Sequence, residues 1–490
     1  MLRKKTLFEF LYQNLYDQIT CGNLKPGDAL PSMTQLAAIY NVGIRTVKDV
    51  LAKLKAEGLI QTTERKPARV IYQPGKNNCS QSYADGLRRR QASLTEVYQT
   101  MGLILPSLFY FSAAHCDIKK LPAYQKLLKK NAGSDTAALD AAFASLLNEL
   151  LRSSDNLLYN DLYNSLKTYA KVTLAAPKNL LLKYTAKDFG QLLDALLSND
   201  EQLVNRSFNK MYLHLSVSIN QYIGEISRKY QPADAADPVY DYSWSAEKGR
   251  NHYYTQIARD LISKIAVNVY EPGTLLPYEA ELAKSYKVSI STIRKALALL
   301  NEIGFTETIN TKGTLVRFPP TFTTANCMQN ERYKKDTLIY LNALQLMSII
   351  IKPVAEAAFD RIDPLTQKVW QEEFSRPDKI PLAIMVTSLI ELTELQPLQV
   401  IMQEINKLLY WGYYLAFHRQ KIPGTITALS QYTWQAYLCL EARDREGFST
   451  CLAICFSYIL ETIRDFMLQN GLHEAAKIVT PYKIPALPSS

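Results

Sequence analysis

Apolar residues recur at helical spacing along most of this 490-residue chain, and in two places that rhythm gives way to short runs rich in β-branched residues. From Phe8 to about Thr20, and again from Tyr253 to about Val267, the spacing predicts a helix followed by a Pro-Gly turn, Pro26-Gly27 or Pro272-Gly273. A second helix is predicted from Ser32, whose hydroxyl suits an N-cap, with Leu36, Ala37 and Tyr40 on one face. Leu282, Ala283 and Tyr286 hold the equivalent places in the later stretch. After Asn41-Val42 or Lys287-Val288 a third helix begins behind Gly43 or Ser289. Its inner stripe is Val47, Val50, Leu51 and Leu54, or Ile293, Ala296, Leu297 and Leu300, and Gly58 or Gly304 stops it. Leu59–Thr62 with Val70–Tyr72, and Thr306–Ile309 with Leu315–Phe318, then predict two hairpins, the second turning at Thr311-Lys312-Gly313.

These two stretches are copies of one pattern. KPGDALPSMTQLAAIYNVGIRTVKDVLAKLKAEGL from Lys25 aligns without a gap on EPGTLLPYEAELAKSYKVSISTIRKALALLNEIGF from Glu271, and Pro26 recurs as Pro272, 246 positions later (272 − 26). That interval is half the chain, so the sequence reads as a duplication. Three helices closed by a hairpin predict a winged helix-turn-helix, whose third helix has the shape to enter a major groove.

Between and after the copies, apolar residues keep helical spacing with short polar or proline-containing breaks, predicting two all-helical bundles. The expected fold class is therefore mostly α, with two winged helix-turn-helix domains alternating with two helical bundles. The predicted divisions are winged domains at 1–75 and 251–320 and bundles at 94–230 and 333–480, with linkers at 76–93, 231–250 and 321–332 and a tail at 481–490. Arg88-Arg89-Arg90 is read as part of a solvated linker.

Composition adds direction without deciding function. A net charge of +10 favours a polyanionic partner slightly. Seven cysteines, at 21, 79, 116, 327, 439, 451 and 455, include no C-x-x-C pair, so reduced thiols in a cytoplasmic setting are expected. Cys451 and Cys455, at i and i+4, are read as core residues. Glu9, Gln13, Asn14 and Asp17 interrupt the first apolar stretch, unlike a signal peptide, and Asn342, Gln345, Lys352, Pro353 and Glu356 interrupt Leu338–Phe359, so no membrane span is predicted. The chain has no G-x-S-x-G, H-E-x-x-H, P-loop or Gly-rich dinucleotide pattern, and an enzyme is not expected.

The paired segments resemble the GntR family of bacterial regulators, whose reader runs P-G-x-x-L-P-S-E-R-x-L-A, then V-S-R-x-T-V-R-x-A-L, then a glycine and a G-T wing. Pro26, Gly27, Leu30, Pro31, Ser32, Leu36, Ala37, Val42, Thr46, Val47, Leu51 and Gly58 carry the likeness in the first copy. In the second it rests on Pro272, Gly273, Leu276, Pro277, Glu279, Leu282, Ala283, Val288, Ser289, Thr292, Arg294, Ala296, Leu297 and Gly304. The resemblance implies double-stranded DNA as partner, with a contact set of Ser32, Thr34, Arg45, Thr46, Lys48, Arg65, Lys66 and Arg69 in one reader. The matching set in the other is Ser289, Ser291, Thr292, Arg294, Lys295, Lys312, Gly313 and Thr314. Two family arginines are replaced in both copies, by Thr34 and Ala280 and by Ile44 and Ile290. A lost bidentate contact to guanine costs about 1–3 kcal/mol of base discrimination, so the usual family operator is not expected. Pro67 replaces the wing glycine of the first copy.

The bundles are similar to the FCD sensor domain of the same family. Ser154–Leu158 and Leu395–Leu398 sit like its middle motif, and Asn199-Asp200 and Arg443-Asp444 like its late one. That likeness implies a small-molecule effector, of a kind the residues leave unnamed. The positions at which the family places an Asp and a His for a metal fall on Phe143 and Leu147, or Ala383 and Thr387, and the late His on His214 or Tyr458. Apolar groups hold no divalent cation, so neither metal nor other cofactor is expected. Trp411, Tyr413, Tyr414, Phe417, Tyr432, Trp434 and Tyr437 are read first as core and second as walls of an effector pocket.

The reading that results is a transcription regulator, repressor or activator, reading two half-sites from one chain as a monomeric pseudo-dimer or a homodimer, without a membrane partner. The alternative is a non-specific DNA-binding or protein-interaction module with degenerate readers.

Overall fold

The structure is a computed structural model that describes residues 8, 11, 12, 15, 16, 19, 24, 26–40, 42–63, 66–73, 79–130, 136–170, 186–229, 242–246, 253–266, 269–317, 331–375, 381–409 and 425–485. The chain forms two compact units, one comprising Met1–Trp244 with Ile390–Met402 and the other Ser245–Leu389 with Gln403–Ser490. Among the described residues both are dominated by helices, as the apolar spacing predicts, with strands confined to two small sheets.

In the first unit, helical residues Leu11, Leu15 and Ile19 are fully buried and precede α1 (Met33–Tyr40) and α2 (Ile44–Ala56). α2 buries Val47, Val50, Leu51 and Leu54 and exposes Arg45, Lys48, Asp49, Ala52 and Lys53. Each fully buried Val or Leu contributes about 1.5–3 kcal/mol relative to exposure, which holds this amphipathic helix on its neighbours. The helix ends where Gly58 takes φ +72°, a backbone region that costs a Cβ-bearing residue.

The predicted hairpin is present but shorter. β1 (Ile60–Gln61) pairs antiparallel with β2 (Arg69–Val70). The Pro-Gly segment does more than turn: Gly27 N–H donates to Val70 O at 2.8 Å, Leu30 N–H to Ala68 O at 2.8 Å, and Val70 N–H to Asp28 O at 3.0 Å.

A bundle follows: α3 (Cys79–Ala114), α4 (Pro122–Lys130), α5 (Thr136–Ser153), α6 (Leu157–Ala170), α7 (Ala186–Leu197) and α8 (Glu201–Lys229). The expected linker at 76–93 is corrected here, because α3 already runs from Cys79. Ala84, Leu87, Leu94 and Val97 are buried at helical spacing, and a segment with an apolar stripe does not remain solvated. Arg88 Nε donates to Ser227 Oγ at 2.9 Å and Arg90 to Tyr169 O, leaving Arg89 as the exposed member of the trio. The expected linker at 231–250 also contains seated residues. Tyr242 packs edge-on against Tyr169, and Trp244 Nε1 donates to Asp161 Oδ2 at 2.8 Å.

The second unit repeats this plan. α9 (Tyr253–Ala266), α10 (Glu279–Tyr286) and α11 (Ile290–Glu302) surround a core of Ile257, Leu261, Leu276, Leu282, Ile293, Leu297, Leu300 and Phe305. β3 (Thr306–Ile309) pairs with β4 (Gly313–Val316), and the segment after Pro272 joins through Gly273 N to Val316 O and Leu276 N to Thr314 O. The pairing register sets Gly313 opposite Ile309, so β4 begins two residues earlier than the sequence pattern predicts.

Its bundle elements are α12 (Glu331–Ala358), α13 (Pro364–Phe374), α14 (Leu382–Leu392), α15 (Gln396–Leu409), α16 (Thr425–Glu441) and α17 (Arg445–Gln469). The order mirrors α3 to α8. Asn199 and Arg443, 244 positions apart (443 − 199), both adopt positive φ, and Asp200 and Asp444 after them cap α8 and α17. The duplication therefore extends into the bundles. Ile390–Met402, within the predicted second bundle, groups with the first unit.

Residues 481–485 of the expected tail are packed, with Tyr432 Oη donating to Pro485 O and Tyr482 N–H to Ser457 Oγ. The stretch Tyr333–Arg361 is long and apolar enough to cross a membrane, but 78% of its apolar window is buried inside the protein, as befits a core helix.

Candidate nucleic-acid interface

Each reader displays the first turns of its third helix to solvent. In α2, Arg45 and Lys48 are exposed, and neither has a side-chain partner among the described residues. Gly43, at the N-cap in extended conformation, offers no side chain to the helix. Ser32 caps the preceding helix instead, its Oγ accepting Gln35 N–H at 3.2 Å while Ser32 N–H donates to Gln35 Oε1 at 2.8 Å. Thr34 is exposed as the second residue of α1, and Thr46 is half-buried.

Lys53 stands apart from this cationic set. Its Nζ lies 3.8 Å from the centroid of the Tyr12 ring, whose hydroxyl donates to Glu57 at 2.6 Å, so this lysine ties α2 to the first helical segment.

In the second reader the same surface is more ordered. Ser289 caps α11 by accepting from Thr292 N–H at 3.3 Å, and its Oγ also lies 2.9 Å from Ser291 Oγ and 2.8 Å from Thr292 Oγ1. Three hydroxyls thus gather at the positive end of a helix dipole. Arg294, the position equivalent to Lys48, donates through Nε to Glu279 Oε2 at 2.7 Å. With side chains 69% and 39% exposed, the pair adds little stability. Its effect is on orientation, since one edge of the guanidinium is held and the other N–H groups stay available. Lys295 is exposed where the first reader has the exposed Asp49, so this face changes sign between copies.

The wings place their expected contacts less uniformly. Arg69 lies in β2 and donates Nη1 to Gly27 O at 2.8 Å, which engages part of its guanidinium in holding the wing. Lys66 is exposed, and Arg65 lies outside the described residues. In the second wing Lys312 is exposed at the turn, between Thr311 at φ +66° and Gly313 at φ +120°. Thr314 is 7% exposed and its Oγ1 lies 3.5 Å from that of Thr308, so its hydroxyl faces the sheet neighbour.

Three surface features were not singled out by sequence reasoning. Glu279 braces Arg294 across 15 positions, a helix-to-helix contact with no local signal. Tyr278 replaces Ser32 at the equivalent N-cap and is 66% exposed beside that pair in sequence. Met33, in Glu279's place, is 46% exposed.

The bundles do not fit the family metal set. Phe143 and Leu147 are buried, with Phe143 packed on Phe189 and Phe208, and Thr387 Oγ1 donates to Ala383 O at 2.9 Å. His214 is half-buried and Tyr458 packs against Tyr432. Tyr437 and Tyr432 are buried, as core packing predicts, whereas Trp434 stacks on Tyr437 but is 42% exposed; Trp411, Tyr413, Tyr414 and Phe417 lie outside the described residues. Cys455 is buried, and Cys451 contacts Cys439 from the preceding helix; burial pushes the Cys451 thiol up to about 12.

Comparison with known proteins gives the same two segments. Residues 7–70 and 253–316 match the family model described as "Bacterial regulatory proteins, gntR family". A stretch of 69 residues is 39% identical to the HTH-type transcriptional repressor NanR of Klebsiella aerogenes, covering 14% of this chain and 26% of that protein. Over 239 residues the chain is 28% identical to the repressor of the same name from Citrobacter rodentium, covering 48% of this chain and 82% of the relative. The chain spans about a quarter of the first relative's length and 60% of that of the Salmonella newport repressor. Among solved structures, E. coli McbR/YncC aligns at 17% identity over 44% of this chain and 98% of its own, with a TM-score of 0.26. Streptococcus agalactiae GntR aligns at 15% over 42% and 99%, with a TM-score of 0.21.

Proposed function

We propose that this chain, a tandem member of the gntR family of bacterial regulatory proteins, is a cytoplasmic transcription regulator that binds double-stranded DNA through both readers and responds to a small molecule through its bundles. The observation that carries this reading is the repeated third helix, buried along one stripe and presenting cations on the other in both copies. A helix of this shape fits a major groove, and exposed Arg and Lys side chains supply phosphate and base-edge contacts. Arg45, Lys48, Arg294 and Lys295 are the main candidates, with Lys66 and Lys312 reaching for phosphates from the wings. Ser289, Ser291 and Thr292 suit a phosphate at the start of α11.

Because Lys48 and Asp49 stand where Arg294 and Lys295 stand in the second copy, the two half-sites differ in sequence. One chain supplies both readers, so a monomer suffices for a two-part operator. The relatives described as transcriptional repressors support a role in transcription; in the proposed effector response, ligand and DNA shift one conformational population.

Selection of bound genomic fragments with the purified full chain tests this reading. An asymmetric two-part motif is expected, with the second part altered by Arg294→Ala. A uniform affinity for random DNA that falls steeply with salt would instead identify a non-specific binder.

A further inference from the structure

The two readers share one feature that the cationic contacts leave unexplained. Ile44 and Ile290, each the first residue of its third helix, are 55% and 42% exposed. They are 246 positions apart, at the register of the duplication, and they precede the exposed cation pairs Arg45 and Lys48 and Arg294 and Lys295. A β-branched side chain at the first turn of a helix adds nothing to helix propensity, and neither isoleucine belongs to the buried core. The exposure is apolar, repeated, and surrounded by positive charge, which fits a surface completed by a polyanion carrying apolar groups.

Resting on the DNA-binding reading above, we infer that Ile44 and Ile290 each read a thymine through its C5-methyl group, one in each half-site. Among the groups a major groove displays, the thymine methyl is the apolar one; the other base edges offer donors and acceptors that an isoleucine leaves unsatisfied. Selectivity at these positions therefore comes from burying a methyl and from rejecting polar edges, where an arginine would select guanine. Met33, exposed at the start of the preceding helix of the first reader, is replaced by the charged Glu279 in the second.

The test replaces thymines by deoxyuridine, which keeps pairing and hydrogen bonding and removes only the methyl. The duplex selected by the full chain is resynthesised with one substitution at a time, and affinity is measured by fluorescence anisotropy at fixed salt. Loss of one buried methyl is expected to weaken binding about fourfold at one position in each half-site. Ile44→Ala should abolish that sensitivity in the first half-site alone, and Ile290→Ala in the second alone. Alanine at an exposed helical position favours the helix, and an unchanged melting profile verifies that each variant is folded. If no thymine is sensitive, or if sensitivity persists in the alanine variants, the inference is overturned while sequence-specific binding stands. Failure to select any motif overturns both.

Discussion

The two readers have the same interior and different outer faces. Val47, Val50, Leu51 and Leu54 in one are matched by Ile293, Ala296, Leu297 and Leu300 in the other, all buried. On the outside, the first third helix begins at an uncapped Gly43 and carries Arg45 and Lys48 without side-chain partners among the described residues, followed by an acidic Asp49. The second begins at a Ser289 cap, holds Arg294 against Glu279, and substitutes Lys295 for the acid. A packed interior tolerates only volume-conserving change, whereas exposed positions are set by what they touch, so a duplicated domain keeps one and alters the other. The first reader's long unbraced side chains suit phosphates, which any sequence supplies. The braced arginine of the second suits a fixed base edge.

The largest test of this contrast lies in the shared core. Leu54→Ala and Leu300→Ala each remove a fully buried side chain, and each is expected to cost about 2–5 kcal/mol in chemical denaturation. Similar costs would confirm equivalent interiors; a cost confined to one copy would break the equivalence. Next in size is the difference between cations. Arg294→Ala should lose about 1–3 kcal/mol of base discrimination at one position, while Lys48→Ala should weaken all sequences alike and lower the salt slope by about one, both read from salt-dependent binding curves. Equal behaviour of the two variants would remove the distinction between braced and free. Ser289→Ala is expected to destabilise the second reader by about 1 kcal/mol, measured by thermal melting, a loss for which Gly43 has no counterpart. The smallest effect is that of Lys53→Gln, about 0.5–1 kcal/mol of stability from the contact with Tyr12 and no change in salt slope. A changed slope would instead assign Lys53 to the DNA face.

Most of the fold was legible because its determinants are local. The apolar stripes of the third helices, the glycines at 58 and 304 and the Pro-Gly turns each act within a few residues, and their repetition at a fixed interval made the pattern hard to misread. The linker at 76–93 was misread because polar composition outweighed a sparse stripe of Ala84, Leu87 and Leu94 that only a partner helix completes. Likewise Tyr242 and Trp244 sit in a segment rich in Ala, Asp and Pro, and their seats on Tyr169 and Asp161 come from far along the chain. At the candidate interface, residue types gave the cations but not their states. That Arg69 is turned toward Gly27, that Lys53 covers an aromatic ring and that Glu279 holds Arg294 are all decided by tertiary packing.

The strand-like segment after each Pro-Gly pair gives the wings a particular mechanical character. A hairpin as short as Ile60–Gln61 with Arg69–Val70 is marginal by itself, and a bare hairpin leaves two open edges for another chain to pair with. Ala29 bridging to Arg69, and Leu275 to Leu315, close one of those edges with the connection between the first two helices. The wing is thereby stitched to the very linker that sets the angle of the helices, so displacing its tip pulls on the helical scaffold. A nucleic acid pressing on the wing would be felt in the interior as a change in helix placement, and the same stitch leaves each domain fewer free backbone groups through which to aggregate.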